Sequence, residues 1–221
     1  MKPFNEQTVL EFYKRLCQDK QHRYKSWEHC YVAFKEEDDT ELLSLHLGFY
    51  LASWGMYRGS SGLLQKDFTV HKKAIEILKS SKYTFLNTHV HKADRKHISL
   101  ILELKNELKQ YYETVYFLKG NREFYITPTD TLMTKIMLGT LGCIPAYDRY
   151  YIDGLREVGL KGYRVNQQSL KSLFDFIEET YNKKIIQETQ NKISKNGICY
   201  PKMKILDMFF WEVGFEANKR K

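Results

Sequence analysis

Apolar residues recur at helical spacing along nearly the whole chain, and strict alternation of apolar and polar residues is not sustained anywhere. Val9, Phe12, Tyr13 and Leu16 mark one face of a helix over 8–18, with Asn5 placed to cap it. Trp27, Cys30, Tyr31 and Phe34 do the same over 26–34. The acidic run 36–39 then favours the N-terminus of the helix that follows. That helix, over 42–54, is apolar on too many faces for a surface element, so it is expected to be central, with Leu45, Phe49 and Leu51 among the most buried residues. Glycines at 55, 59 and 62 break or kink it. Further helices are predicted over 69–78, 98–118, from 130 through Leu138, over 147–158, over 169–181 and, opened by Pro201, over 202–216. The polar, histidine-rich stretch 79–97 reads as a loop or a short helix. Nine to eleven helices with little or no sheet make an all-α, single multi-helix domain over 1–221, two lobes at about 1–120 and 121–221 being the alternative organisation.

Composition narrows this picture. With 43% apolar and 14% aromatic residues the chain can bury a real core and is not a disordered sequence. Its net charge of +8 favours anionic partners, nucleic acid first, although solvated lysines alone give the same sum. Cys17, Cys30, Cys143 and Cys199 form no C-x-x-C pair, which argues against a zinc or iron–sulfur knuckle and suits free buried thiols in a reducing compartment. The first residues lack the apolar core of a signal peptide. The apolar stretch 42–64 carries too many polar residues and glycines for a membrane span. A cytoplasmic protein with no membrane partner is therefore expected. His89-x-His91 with His97 has metal-ligand residue types, but a lysine-rich loop explains these histidines as surface groups, so neither metal nor cofactor is expected.

The candidate chemistry lies at a corner. An apolar helix ending near Leu138-Gly139 is followed by a break, Pro145-Ala146-Tyr147-Asp148, and then by a helix with Ile152 and Leu155 inside. One carboxylate is thereby placed between two helices, a costly position unless it is used or paired. A Pro-x-x-Asp before a helix also makes a plain N-cap. The unit resembles the core of the helix-hairpin-helix DNA glycosylases over about 130–158. In that family a helix ending in Leu-Gly leads to a Pro-x-x-Asp facing the base-flipping pocket. The resemblance implies that Asp148 is the catalytic aspartate, stabilising the oxocarbenium-like cation formed when an N-glycosidic bond breaks or activating water against it. The family's glycine-rich phosphate-binding hairpin is replaced here by Tyr125-Ile126-Thr127-Pro128-Thr129-Asp130-Thr131. Lys135 stands more than a turn into the helix, so a lyase-type Schiff base is not expected.

Around that corner, Arg58, Lys135, Tyr147, Arg149 and Tyr151 are the candidate substrate or nucleic-acid contacts, since cations interleaved with rings suit phosphates and bases. Arg58, in an apolar setting, is expected to be partly buried against an acid, Asp148 first. Asp207, inside the aromatic run 200–211, needs a cap or a buried ion pair. Two functions follow: a DNA-binding protein with glycosylase-like base excision through Asp148, or a non-catalytic helical module that binds protein or nucleic acid through a basic surface.

Overall fold

A computed structural model describes residues 1–58, 62–194 and 197–220. The chain is predominantly helical, as expected. Among the described residues the α-helices are α1 (Glu6–Gln18), α2 (Ser26–Glu36), α3 (Thr40–Ser53), α4 (Lys72–Leu78), α5 (Ile98–Glu113), α6 (Asp130–Thr140), α7 (Arg149–Val158), α8 (Gln167–Glu178), α9 (Thr180–Ile193) and α10 (Lys202–Lys219). A two-stranded antiparallel hairpin, β1 (Tyr116–Lys119) and β2 (Arg122–Tyr125), stands between α5 and α6. No helix among the described residues is long and apolar enough to cross a membrane.

Local chemistry sets most of the boundaries. Asn5, Asp39, Thr129, Asp148 and Asn166 each accept a backbone N–H with the side chain at a helix start. The capping box at Asn166 and Ser169 closes α8 in both directions. Gly142, at φ 65°, ends α6 in a backbone region that a side chain disfavours.

α7 and α10 form the most closely packed helix pair. A Cβ on Gly154 would lie 1.8 Å from the Phe210 carbonyl oxygen, and one on Gly214 would lie 1.9 Å from that of Tyr150. The two backbones therefore touch with no side chain between them. α1 and α9 pack on α10, while α2, α3 and α5 pack on α6, so elements from both halves of the chain share one core. The N-terminal segment is tied down as well: Lys2 N–H donates to the Val158 carbonyl at 2.8 Å and Phe4 N–H to Asn182 Oδ1 at 2.8 Å.

Four expectations need correcting. α3 is not buried all round. Leu51 is fully covered, but Leu45 and Phe49 lie on an exposed face with Leu42, Phe49 being 61% exposed. Its inner face carries the small residues Ser44 and Gly48, and a Cβ on Gly48 would come within 3.2 Å of Phe68 Cβ, so the helix approaches its neighbours along its small side. α5 stops at Glu113, and the expected last turn, to 118, is instead part of β1. α8 stops at Glu178, whose successor Glu179 caps a separate helix, α9, by accepting Asn182 N–H. The cysteines are free thiols, but only Cys30 and Cys143 are buried.

Candidate functional site

The Pro145–Asp148 corner is anchored from both sides. From α6, Thr131 Oγ1 donates to the Tyr147 carbonyl at 2.8 Å, and Thr134 Oγ1 accepts Tyr147 N–H at 2.9 Å. From α10, Asp207 Oδ1 accepts Ala146 N–H at 3.0 Å. The corner thus presents Asp148 as the N-cap of α7, its Oδ1 accepting Tyr151 N–H at 3.1 Å.

The other oxygen of Asp148 accepts a hydrogen bond from Lys135 Nζ at 2.8 Å. Lys135 is 2% exposed and Asp148 16%, so a buried ammonium lies beneath a carboxylate that reaches the surface. A second pair lies close by: Lys204 Nζ meets Asp207 Oδ2 at 2.8 Å, with both side chains 5% exposed. The two pairs share an aromatic partner. Lys135 Nζ is 4.6 Å and Lys204 Nζ 5.2 Å from the Trp54 ring centre, and Lys204 also faces Trp27 at 5.2 Å. Such cation–ring contacts strengthen as water is excluded. Tyr50 joins the cluster from α3: burial first, and then the charge of Asp207, holds its phenol well above the ordinary value.

This arrangement is costly to assemble. Buried Lys–Asp pairs repay their desolvation only with good geometry and further hydrogen bonds, and losing one partner strands the other charge. Here Asp148 has the α7 cap and Asp207 has Ala146 N–H as that extra support. Trp54 is itself half-buried, and its indole N–H is covered with no hydrogen-bond partner. Tyr24 stacks on it at 4.3 Å, and Trp211 meets it edge-on at 6.2 Å.

The sequence-predicted residues divide sharply. Asp148 is where the corner reading puts it, and Asp207 is in a buried ion pair, as its aromatic surroundings require. Tyr147 and Tyr151 are core residues at 2% and 0% exposure, so neither offers a ring face to a base. Burial pushes the Tyr147 phenol up to about 12. Lys135 is likewise enclosed, making it a partner of Asp148 rather than a surface contact for phosphate. Arg58 is exposed, contrary to expectation; its aliphatic stem lies against Gly55, 3.8 Å from where a Cβ would stand. The lysine, not the arginine, fills the place beside Asp148 because α6 carries it directly under the corner. Gly59, one of the glycines expected to break or kink α3, falls outside the described residues together with its neighbours 60 and 61. Arg149 is exposed at the start of α7, held by Asn218 Oδ1 at 2.7 Å. No three His, Cys, Asp or Glu side chains converge into a metal-holding group among the described residues.

Sequence reading missed Lys204 as the partner of Asp207, and Tyr24 and Glu212 altogether. A lysine three residues before an aspartate in an otherwise apolar helix was the available signal for Lys204. Nothing local marks Tyr24 or Glu212, which matter only through what folds against them.

Neither known family models, nor curated proteins, nor solved structures give a match to this chain.

Proposed function

We propose that the chain binds DNA and that the corner carrying Asp148 is a base-excision centre. The observation that supports this reading most is a carboxylate at the surface edge of a helix–corner–helix unit, held in place by a buried lysine and a backbone cap. A fixed anion there stabilises the positive charge that develops on a sugar as an N-glycosidic bond breaks. Lys135 positions the carboxylate. Exposed Arg149, next to it on α7, and the net charge of +8 supply the means to meet phosphates.

A second reading, a helical interaction module without catalysis, is favoured by the fact that both Asp148 oxygens are already occupied.

Asp148→Asn alone keeps a capping side chain but strands the Lys135 ammonium, at a cost of roughly 3–5 kcal/mol. The informative variant is therefore Lys135→Met with Asp148→Asn, which removes both charges together. It is expected to melt near the parent temperature, to shift duplex DNA as the parent does across a salt series, and to release no base from DNA carrying damaged or mismatched bases. A parent that fails to shift duplex DNA at low salt overturns the reading. A double variant that still releases base removes Asp148 from the chemistry.

A further inference from the structure

Next to the Trp54 cluster is a cleft of about 310 Å³ that the Asp148 reading does not use. Phe12, Tyr24, Trp211 and Phe215 give it aromatic walls, and Glu212 lies among them. The rings form one connected set: Phe12 and Trp211 meet edge-on at 5.9 Å, Tyr24 and Trp211 at 5.7 Å, and Trp211 stacks on Phe215 at 4.9 Å.

Glu212 is the anomaly in this wall. Its side chain is 7% exposed; Oε1 accepts from Arg15 Nη2 at 2.5 Å, and Oε2 is covered with no hydrogen-bond partner. A buried carboxylate oxygen without a donor costs free energy and calls for a reason. Arg15, by contrast, is half exposed. Arg15, His22 and Lys219 line the cleft, Lys219 paired with Glu216 at 2.8 Å, and Arg23 lies over the Tyr24 ring at 4.8 Å. The two arginines favour an anionic group at this rim. A flat ring bearing a negative tail fits it, with the ring between aromatic walls and the tail at the arginines.

We propose that this cleft binds one guanine base of a nucleotide or of an unstacked nucleic-acid strand. The Glu212 carboxylate accepts the base's N–H donors, and Arg15 and Arg23 meet the phosphate. The choice of ligand class rests on the nucleic-acid reading above, but not on catalysis at Asp148. Guanine is selected by hydrogen-bond chemistry. A carboxylate only accepts, and guanine offers two adjacent donors, N1–H and N2–H, on one edge. Adenine and cytosine place a ring acceptor beside their amino group, and uracil flanks its single N–H with two carbonyls, so each sets an acceptor against the second carboxylate oxygen. As the base arrives, Arg15 leaves Oε1 for the phosphate and the Glu212 carboxyl turns to bring the covered Oε2 to the base.

The test titrates the intact chain with GMP, AMP, CMP, UMP and guanosine, followed by calorimetry and tryptophan fluorescence. GMP is expected to bind tightest, by roughly tenfold or more. Glu212→Gln, which sets an amide donor against one of the guanine donors, is expected to remove that preference. Arg15→Ala is expected to weaken GMP relative to guanosine, because the phosphate loses a partner while the base no longer has to displace the arginine from Oε1. It leaves Glu212 without its ion-pair partner, so its fold is checked by thermal melting first, and it decides the matter if Glu212→Gln does not fold. No binding of any of these ligands at millimolar concentration, or a Glu212→Gln variant that folds and still prefers GMP, overturns the proposal. So does an Arg15→Ala variant that leaves the ratio of GMP to guanosine affinity as it is in the parent. A thymine oligonucleotide with a single guanine that binds tighter than GMP identifies a strand as the source of the base; equal affinity identifies a free nucleotide. A chain that shifts duplex DNA but binds no nucleotide fails this inference alone, whereas guanine binding without a duplex shift fails only the base-excision reading.

Discussion

Single side chains in this protein hold positions that water would ordinarily refuse, and His71 shows what that does to stability. Its ring is enclosed, with Nε2 2.8 Å from the Tyr57 hydroxyl and Nδ1 2.6 Å from that of Tyr112. Burial lowers its pKa from 6.5 to about 4. Below pH 6.5 the unfolded chain therefore binds a proton that the folded chain refuses. The stability due to this neutral imidazole is complete above about pH 6.5, drains away as the pH falls toward 4 and then levels off, a total of about 3 kcal/mol. His89, stacked on Tyr31 and also lowered to about 4, chiefly by burial, acts in the same direction. Urea denaturation at pH 7.5 and pH 5 is expected to show the loss, and His71→Asn, though less stable overall, is expected to show a shallower pH slope. An identical slope in that variant would remove His71 from the account.

Helices meet here by shape as much as by apolar content, which explains where pattern reading succeeded and where it failed. Helices with a sharp apolar stripe and a side-chain cap, such as α1 and α7, were legible because the stripe is the buried face. α3 was legible as a helix but not in orientation: its small residues turn inward, leaving Leu42, Leu45 and Phe49 outside. α9 was missed because two of its buried positions are polar. Asn182 accepts Phe4 N–H and donates to the Phe176 carbonyl, and Thr189 donates to the Ile185 carbonyl one turn back. The hairpin was overlooked although Gly120-Asn121, with Gly120 at φ 64°, is a recognisable turn between two short aromatic runs. At the α7–α10 contact the same logic gives a strong prediction. Gly154→Ala inserts a methyl where only 1.8 Å separates it from a backbone oxygen, so one helix must move bodily. The variant is expected to lose at least about 3 kcal/mol, the upper part of the usual range for overpacking, or not to fold. A thermal melt close to that of the parent would mean that the two helices are farther apart than described.

Across the whole molecule, the segments that looked anomalous in the sequence converge. The end of α3 at Trp54, the Pro145–Asp148 corner and the aspartate of α10 are remote in the chain and meet in one cluster. Each was visible alone because a charge or a glycine interrupted an apolar run. Their meeting was not, since pairing depends on which helices cross. Arg58 was the natural partner for Asp148 when only residue types were known, and the buried Lys135 took that place because it shares a helical hairpin with the aspartate.

The backbone contact between α7 and α10 also bears on how the molecule opens. With no side chain between Gly154 and Phe210, or between Gly214 and Tyr150, there is no soft layer along which these helices can part by degrees. The Ala146 amide, bonded to Asp207 on α10, is fastened to the same unit. Fluctuations that expose these groups to solvent should therefore coincide with loss of the entire structure, whereas β1 and β2, whose side chains are mostly exposed, should open independently and often. In amide hydrogen exchange, Ala146, Gly154, Leu155 and Phe210 are expected to be the slowest sites and to share a single opening free energy, the one found by denaturant unfolding. If Ala146 exchanged far faster than Phe210, the corner bearing Asp148 would be breathing apart from the scaffold that holds it.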